Sequence, residues 1–393
     1  MSENNNTVGG KLRYGMVGGK QGHSFGNAHM QAINRDGLAE IAAGCFSRSY
    51  ETTLSTGAAL GIGQDRLYKT FEEMAEAESK RADRIDFVII VTPNASHYPA
   101  AKAFLERGFS VVCDKPLTVT SAQATELAEL AKRNKLLFGV SYTYTGYAAV
   151  KQAREMIRRG DIGDIRFINA EYPQGWLAGD LPKTGPDGQK LDIWRLNPEL
   201  SGISACVADI GTHLENLIAA VSGLSIKSLC ARLDTFGAGR LLDDNAVIMV
   251  EYRGGAKGVY WSSQIAAGMG NGLRFRIFGT RGSLFWVQED PSHLEFNHND
   301  VTLPPTSIPR DTPYYPEVQA FLRPTAEGKS EEILDSLANI YRVYITALQK
   351  RKAGQPLTQA DLDFPNAEEG YNGMRFIEKC VESSGKGAVW VDY

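Results

Sequence analysis

No run of apolar residues in this chain approaches the ~18 that cross a bilayer. The start, Met1-Ser-Glu-Asn-Asn-Asn6, lacks the charged-then-apolar layout of a secretory signal, so a cytoplasmic protein with no membrane partner is expected. Charge of one sign is missing too: 42 Lys and Arg face 46 Asp and Glu, a net charge of -4, and the longest basic cluster is Lys132-Arg-Asn-Lys135. Nucleic acid is therefore not expected as a partner. Cysteine is sparse, with Cys45, Cys113, Cys206, Cys230 and Cys380 scattered and never in a C-x-x-C arrangement. That odd, dispersed set excludes a disulfide scaffold and a cysteine-rich zinc site. Glycine, by contrast, is plentiful at 40 of 393 residues, concentrated at 15–26 and 254–282 without a collagen-like period, which points to local backbone geometry. A composition 43% hydrophobic and 22% charged, at this length, predicts two or three globular domains.

The pattern divides the chain. Residues 1–11 are polar and read as a disordered tail. From 12 to 147, short β-branched or apolar runs (12–17, 40–47, 85–92, 110–113 and 136–141) alternate with helical-period segments such as 70–81, 99–107 and 121–134. Strands alternating with helices predict βαβ units and a mostly parallel sheet. From 148 to 393 the character changes. An amphipathic helix over 149–159 is followed by extended stretches at 165–172, 226–236, 245–253, 256–264 and 273–286, with Arg-Gly-Gly and Gly-Thr-Arg-Gly turns between them. These predict hairpins in an antiparallel sheet, with helices at 209–221, 331–350 and 366–383.

Four constellations carry chemistry. Gly15-Met-Val-Gly18-Gly19-Lys20-Gln-Gly22-His-Ser24-Phe25-Gly26-Asn-Ala-His29 lies between the first strand and the first helix, where a dinucleotide fold puts its pyrophosphate against glycine backbone and a helix N-terminus. Lys20 occupies the place of a glycine in the strict G-x-G-x-x-G pattern. At the end of the second strand stand Phe46-Ser47-Arg48, with no carboxylate to repel a 2′-phosphate, which favours NADP over NAD. Thr92-Pro93-Asn94-Ala-Ser-His97 closes the most apolar strand, where ligands of open α/β sheets bind. Cys113-Asp114-Lys115-Pro116 closes the next; proline there raises the chance of a cis bond, and a lysine at such a strand end can hold an alkoxide. Finally Asp209-Ile-Gly-Thr-His213 opens a helix, its i to i+4 spacing placing carboxylate and imidazole on one face. Histidine is the usual proton acceptor for a hydroxyl being oxidised. The pair is too few for a metal, and His293 with His298 falls in a polar loop, so no metal is expected.

Taken together and in order, these motifs resemble the glucose-fructose oxidoreductase / inositol dehydrogenase family, and within it the levoglucosan-dehydrogenase-like group, through the extended Gly-Gly loop, Tyr144-Thr-Gly-Tyr147, Tyr172-Pro-Gln-Gly-Trp176, Trp194-Arg195 and the run at 270–273. The resemblance implies an α/β protein with an N-terminal Rossmann dinucleotide-binding domain over 12–147 and, over 148–393, a C-terminal α/β domain with an open, mainly antiparallel sheet for substrate binding and oligomerisation. It also implies NAD(P)-linked oxidation of a secondary hydroxyl on a pyranose, anhydrosugar or cyclitol, in a homodimer or homotetramer built on the C-terminal sheet. It implies that Lys115 holds the reacting oxygen, His213 is the general base and Asp209 orients the pair. Gly18, Gly19, Gly22, Ser24, Phe25, Gly26, Ser47 and Arg48 would hold the nucleotide, with Thr92, Pro93, Asn94 and His97 on its nicotinamide side and Lys115 touching it as well. Tyr144, Lys151, Trp176, Arg195 and His213 are implied as substrate contacts. Tyr142 and Thr143 stand where the group commonly has His-Asn, and Lys151 where it commonly has Arg, which suggests a different sugar. Two rival readings remain: a redox-assisted glycosidase using transient oxidation, and a nucleotide-sensing regulatory protein.

Overall fold

The computed structural model describes residues 10–179, 193–309, 315–324 and 330–393; residues 1–9 of the expected tail lie outside them. The first half runs β1 (Leu12–Gly18), α1 (Ser24–Asn34), β2 (Ala39–Cys45), α2 (Tyr50–Ala59), α3 (Phe71–Ser79), β3 (Phe87–Val91), α4 (His97–Glu106), β4 (Ser110–Cys113), α5 (Ser121–Arg133) and β5 (Phe138–Val140). Its five strands are all parallel, in the order β2-β1-β3-β4-β5. Every residue of β3 is buried, as a strand covered on both faces requires. Helix starts follow local chemistry: the hydroxyls of Ser49, Thr70 and Thr120 accept from the N–H groups of Thr52, Glu73 and Gln123. The chain leaves β1 toward β2 and then returns to the other side for β3. This reversal of direction opens a crevice at the carboxyl ends of β1 and β3.

The second half adds α6 (Ala148–Arg159), β6 (Ile165–Pro173), α7 (Pro198–Ser201), α8 (Thr212–Ser222), β7 (Ile226–Asp234), β8 (Asn245–Tyr252), β9 (Lys257–Ser263), β10 (Arg274–Gly279), β11 (Gly282–Val287), β12 (His293–His298) and β13 (Thr306–Pro309). It ends with α9 (Ile333–Lys352), α10 (Ala367–Gly385) and β14 (Val391–Asp392). Its nine strands lie in the order β13-β12-β11-β10-β6-β9-β8-β7-β14, antiparallel throughout except for the parallel β6–β9 pair. The extended stretch at 273–286 is two strands, β10 and β11, folded on each other. Along β8 the period of two is plain: Ala246, Ile248, Val250 and Tyr252 face the core, while Val247 and Met249 face outward.

The long helix α9 crosses back to the first sheet. Its Tyr341, Tyr344, Ile345 and Leu348 share a core with Tyr14, Met16, Phe87 and Ile89. Tyr344 also donates its hydroxyl toward the carbonyls of Val111 (3.1 Å) and Leu137 (3.3 Å). The start of α9, at Ile333, Leu334 and Leu337, thereby closes one side of the crevice.

Candidate active site

The glycine loop after β1 takes its shape from three left-handed residues, Gly18 (φ 82°), Gly19 (φ 72°) and Gly22 (φ 81°). A Cβ on Gly18 would stand 2.0 Å from the Val91 carbonyl oxygen, and one on Gly26 would stand 2.4 Å from the Cα of Gly19. The loop is thus pressed between β3 and the first turn of α1, and Lys20 sits exposed outside that contact. No acidic residue lies in the first turn of α1, whose N-terminus is capped by the His23 ring accepting from Gly26 N (3.2 Å). A phosphate fits such a terminus by charge and by N–H donors. Thr92 Oγ1 and Asn94 Oδ1, at the adjacent end of β3, are buried with no partner among the described residues, and they offer polar contacts to a nicotinamide or its ribose. Ser47 and Arg48 follow β2; the Ser47 hydroxyl accepts from Ser49 N (3.2 Å), and Arg48 is exposed.

The catalytic candidates converge on one cleft of about 420 Å3, lined among others by Phe25, Thr92, Lys115, Tyr144, Trp176, Arg195, Asp209 and His213. Lys115 follows β4, and its peptide bond to Pro116 is cis. Its Nζ donates to Asp209 Oδ1 at 2.9 Å and also reaches the Asp209 backbone carbonyl. Asp209 Oδ1 takes a second cation, Arg195 Nε at 3.2 Å, and Oδ2 takes Gln264 Nε2 at 2.8 Å. Burial alone would raise the Asp209 carboxyl, but Lys115 and Arg195 hold it well below the usual carboxylate range. His213 is 8% exposed, among the rings of Tyr142, Tyr144 and Tyr172, with the Tyr144 centroid 4.8 Å away. Burial, and then the charge of Lys115, push its imidazole well below the ordinary value against the pull of Asp209 and Asp114. At neutral pH it is therefore an uncharged proton acceptor.

The side wall is a polar chain. The hydroxyls of Tyr144 and Tyr172 bond to each other, Tyr172 donates to Asn271 Oδ1 (2.5 Å), and Asn271 Nδ2 donates to Gln288 Oε1 (2.8 Å). At the mouth, the Arg195 guanidinium stacks over Trp194 (4.5 Å) and Phe25 (5.2 Å), beside the exposed Trp176.

Two expectations from the sequence need correction. Lys151 does not reach this cleft. It is 4% exposed on the buried side of α6, its Nζ 2.8 Å from Asp363 Oδ1 and 4.7 Å from the Phe321 ring centre, beside a separate cavity. Arg154 also pairs with Asp363, so Lys151 is part of an ion cluster that fastens the loop before α10. His97 does not line the nicotinamide side. It is fully buried, with Nδ1 2.8 Å from the Pro116 carbonyl oxygen and Nε2 2.8 Å from that of Thr92, and it ties the exits of β3 and β4 together.

The pairing of Asp209 with His213 also differs from simple helical spacing. Residues Val207–Gly211 form a π-helical turn before α8, which directs Asp209 to Lys115. Several residues at the cleft carried no assigned role in the sequence. His29, within the glycine constellation but given no role, bonds the Tyr341 hydroxyl (2.5 Å) and lies 3.9 Å from Asp114. Ser141 donates to Asp114, and Gln174 donates to Asn271 (3.0 Å). His29 lies midway along α1, and nothing in the sequence marked it.

A parallel dinucleotide-type sheet with an anion-binding loop, and a lysine, a carboxylate and a neutral histidine at its carboxyl edge, define a two-domain nucleotide-dependent oxidoreductase. Comparison with known proteins narrows this. Residues 12–142 match the model for the oxidoreductase family with an NAD-binding Rossmann fold, and residues 150–285 match that for the GFO/IDH/MocA C-terminal domain. The chain is 34% identical over 390 residues, 97% of each chain, to the uncharacterized oxidoreductase YfiI of Bacillus subtilis (strain 168). It is 27% identical over 234 residues to levoglucosan dehydrogenase of Pseudarthrobacter phenanthrenivorans, covering 54% of this chain and 57% of that one. Among solved structures, an inositol dehydrogenase homolog from Azotobacter vinelandii, complexed with NAD+, superposes with a TM-score of 0.93 at 32% identity, covering 100% of both chains. The chain belongs to the GFO/IDH/MocA family of NAD-binding oxidoreductases. Among the described residues no helix is long and apolar enough to cross a membrane.

Proposed function

We propose that this protein is an NAD(P)-dependent dehydrogenase that oxidises a secondary hydroxyl of a pyranose, an anhydrosugar or a cyclitol. The observation that carries the reading is the convergence of Lys115, Asp209 and a neutral His213 on one cleft at the carboxyl end of the parallel sheet. The names of the relatives, inositol and levoglucosan dehydrogenases, point to the same class of polyhydroxylated ring. When bound, the nucleotide supplies the hydride acceptor. Gly18, Gly19, Gly22, Ser24, Phe25 and Gly26 would hold its phosphates, and Thr92, Pro93 and Asn94 its nicotinamide half. Ser47 and Arg48, with no carboxylate beside them at the end of β2, favour NADP.

Lys115 donates to the reacting oxygen, and its charge stabilises that oxygen as negative charge develops on it. His213 accepts the hydroxyl proton at a ring nitrogen, which burial has left uncharged. Asp209 keeps Lys115 turned to the cleft. Trp176 offers an exposed ring face to the apolar side of a sugar, while Tyr144 and Arg195 offer hydrogen bonds to its hydroxyls. The outward face of the second sheet, with Phe167, Val247, Met249, Phe278 and Val287 exposed, suits a homodimer or homotetramer joined there.

The test is an absorbance screen at 340 nm, with NAD and NADP separately, over free sugars, anhydrosugars, cyclitols and aryl glycosides. Net reduction with one ring hydroxyl is expected. Aglycone release without net reduction would replace the reading by a redox glycosidase, and nucleotide binding with no turnover would replace it by a sensor.

A further inference from the structure

Both oxygens of Asp209 are occupied, and one partner, Gln264, lies outside every motif of the sequence. Gln264 directly follows β9 and is 1% exposed. Its backbone is fixed on two sides: its N–H donates to the Asp244 carbonyl (2.9 Å), and its own carbonyl accepts from Leu177 N (2.8 Å), the residue after Trp176. The side-chain amide has one orientation open to it. The group facing a carboxylate must be the NH2, which leaves Oε1 a buried acceptor with no partner among the described residues. Two cations share Oδ1, and the neutral amide alone of these three donors holds Oδ2.

We propose that Gln264 is a positioning residue for the catalytic lysine: by pinning Asp209 Oδ2 it keeps Oδ1 turned to Lys115, and by being neutral it adds no charge to the surroundings of His213. The proposal rests on the reading of Lys115 and His213 given above. It also joins that charge cluster to the cleft rim, because the Gln264 backbone carries the segment that ends in Trp176 and Leu177. The groups that act on His213 are Lys115, Asp209 and Asp114 by charge and the rings of Tyr142, Tyr144 and Tyr172 by contact. A carboxylate at position 264 would stand against Asp209 and favour the imidazolium.

The experiment titrates the full-length Gln264→Glu protein without any substrate, following the ring resonances of His213, assigned by their loss in His213→Asn. The His213 midpoint should rise by about half a pH unit or more, the direction a nearby added negative charge imposes. The low-pH limb of kcat/KM should move up with it, using the substrate found by the absorbance screen. Gln264→Leu removes the donor without adding charge; it should lower kcat about 10-fold, the scale of one lost hydrogen bond to a charged group, with KM nearly kept. An unmoved His213 midpoint in folded Gln264→Glu overturns the proposal, as does wild-type kcat in Gln264→Leu. If Gln264→Glu does not fold, the kcat-against-KM split of Gln264→Leu decides alone. A raised midpoint in a protein that oxidises no ring hydroxyl keeps the electrostatic coupling of position 264 to His213 but removes the dehydrogenase reading, and the positioning role with it.

Discussion

Replacing Lys115 with alanine separates the two tasks that the cleft gives this residue. As a donor to the reacting oxygen, Lys115 acts where charge develops in the transition state, and loss of one such donor costs about 10²–10³ in kcat, or ~3–4 kcal/mol. As a partly buried cation it also lowers the pKa of His213, second only to burial. Its removal leaves Asp209 held by Arg195 and Gln264, so the carboxylate persists and its pull on the imidazole is no longer opposed. The low-pH limb of kcat/KM should therefore move to higher pH in the variant, because the base charges more readily. Nucleotide affinity, measured by fluorescence quenching, should change little, since the glycine loop does not depend on Lys115. Wild-type turnover in Lys115→Ala would refute the assignment. A large loss of kcat with an unmoved pH limb would refute the electrostatic link between Lys115 and His213.

In the wild-type protein, kcat/KM should be level near neutral pH and fall only as pH drops below the ordinary imidazole range, because the pKa of His213 is lowered by burial and by Lys115; a limb above pH 7 would contradict this. Gly26→Ala puts a methyl group 2.4 Å from the Cα of Gly19 and should weaken nucleotide binding at least ~10-fold by calorimetry, while circular dichroism stays native. Lys151→Ala should leave kcat/KM within about threefold and lower stability by ~1–3 kcal/mol in a denaturant titration, since Asp363 keeps Arg154 but loses its buried partner. A large rise in sugar KM in that variant would restore Lys151 to the cleft.

The parallel sheet was legible because each of its strands is a local signal. A continuous apolar run bounded by breakers gives β3, and the helical-period segments at 70–81 and 121–134 become α3 and α5. Contacts between distant segments were not legible. Lys151 looks like a polar residue on an amphipathic helix, and only Asp363, 212 positions away, explains its burial. His97 looks like a helix-start residue open to the cleft, yet two backbone carbonyls, which no sequence displays, claim both its nitrogens. The docking of α9 on the first sheet likewise rests on Tyr344 meeting Val111 and Leu137 across more than 200 residues.

The same limit applies to Asp209, where the difference bears on the chemistry. In a regular α-helix, positions 209 and 213 share a face, and a carboxylate beside an imidazole raises its pKa. A histidine so paired charges more readily, and less of it is free to take a proton from a hydroxyl at a given pH. The π-helical turn at Val207–Gly211 has more residues per turn, and Asp209 is turned toward Lys115 and Arg195. Its negative charge is then balanced by two cations, and burial together with Lys115 dominates at His213. The turn therefore divides the work: the carboxylate serves Lys115, and the imidazole is left neutral to act as base.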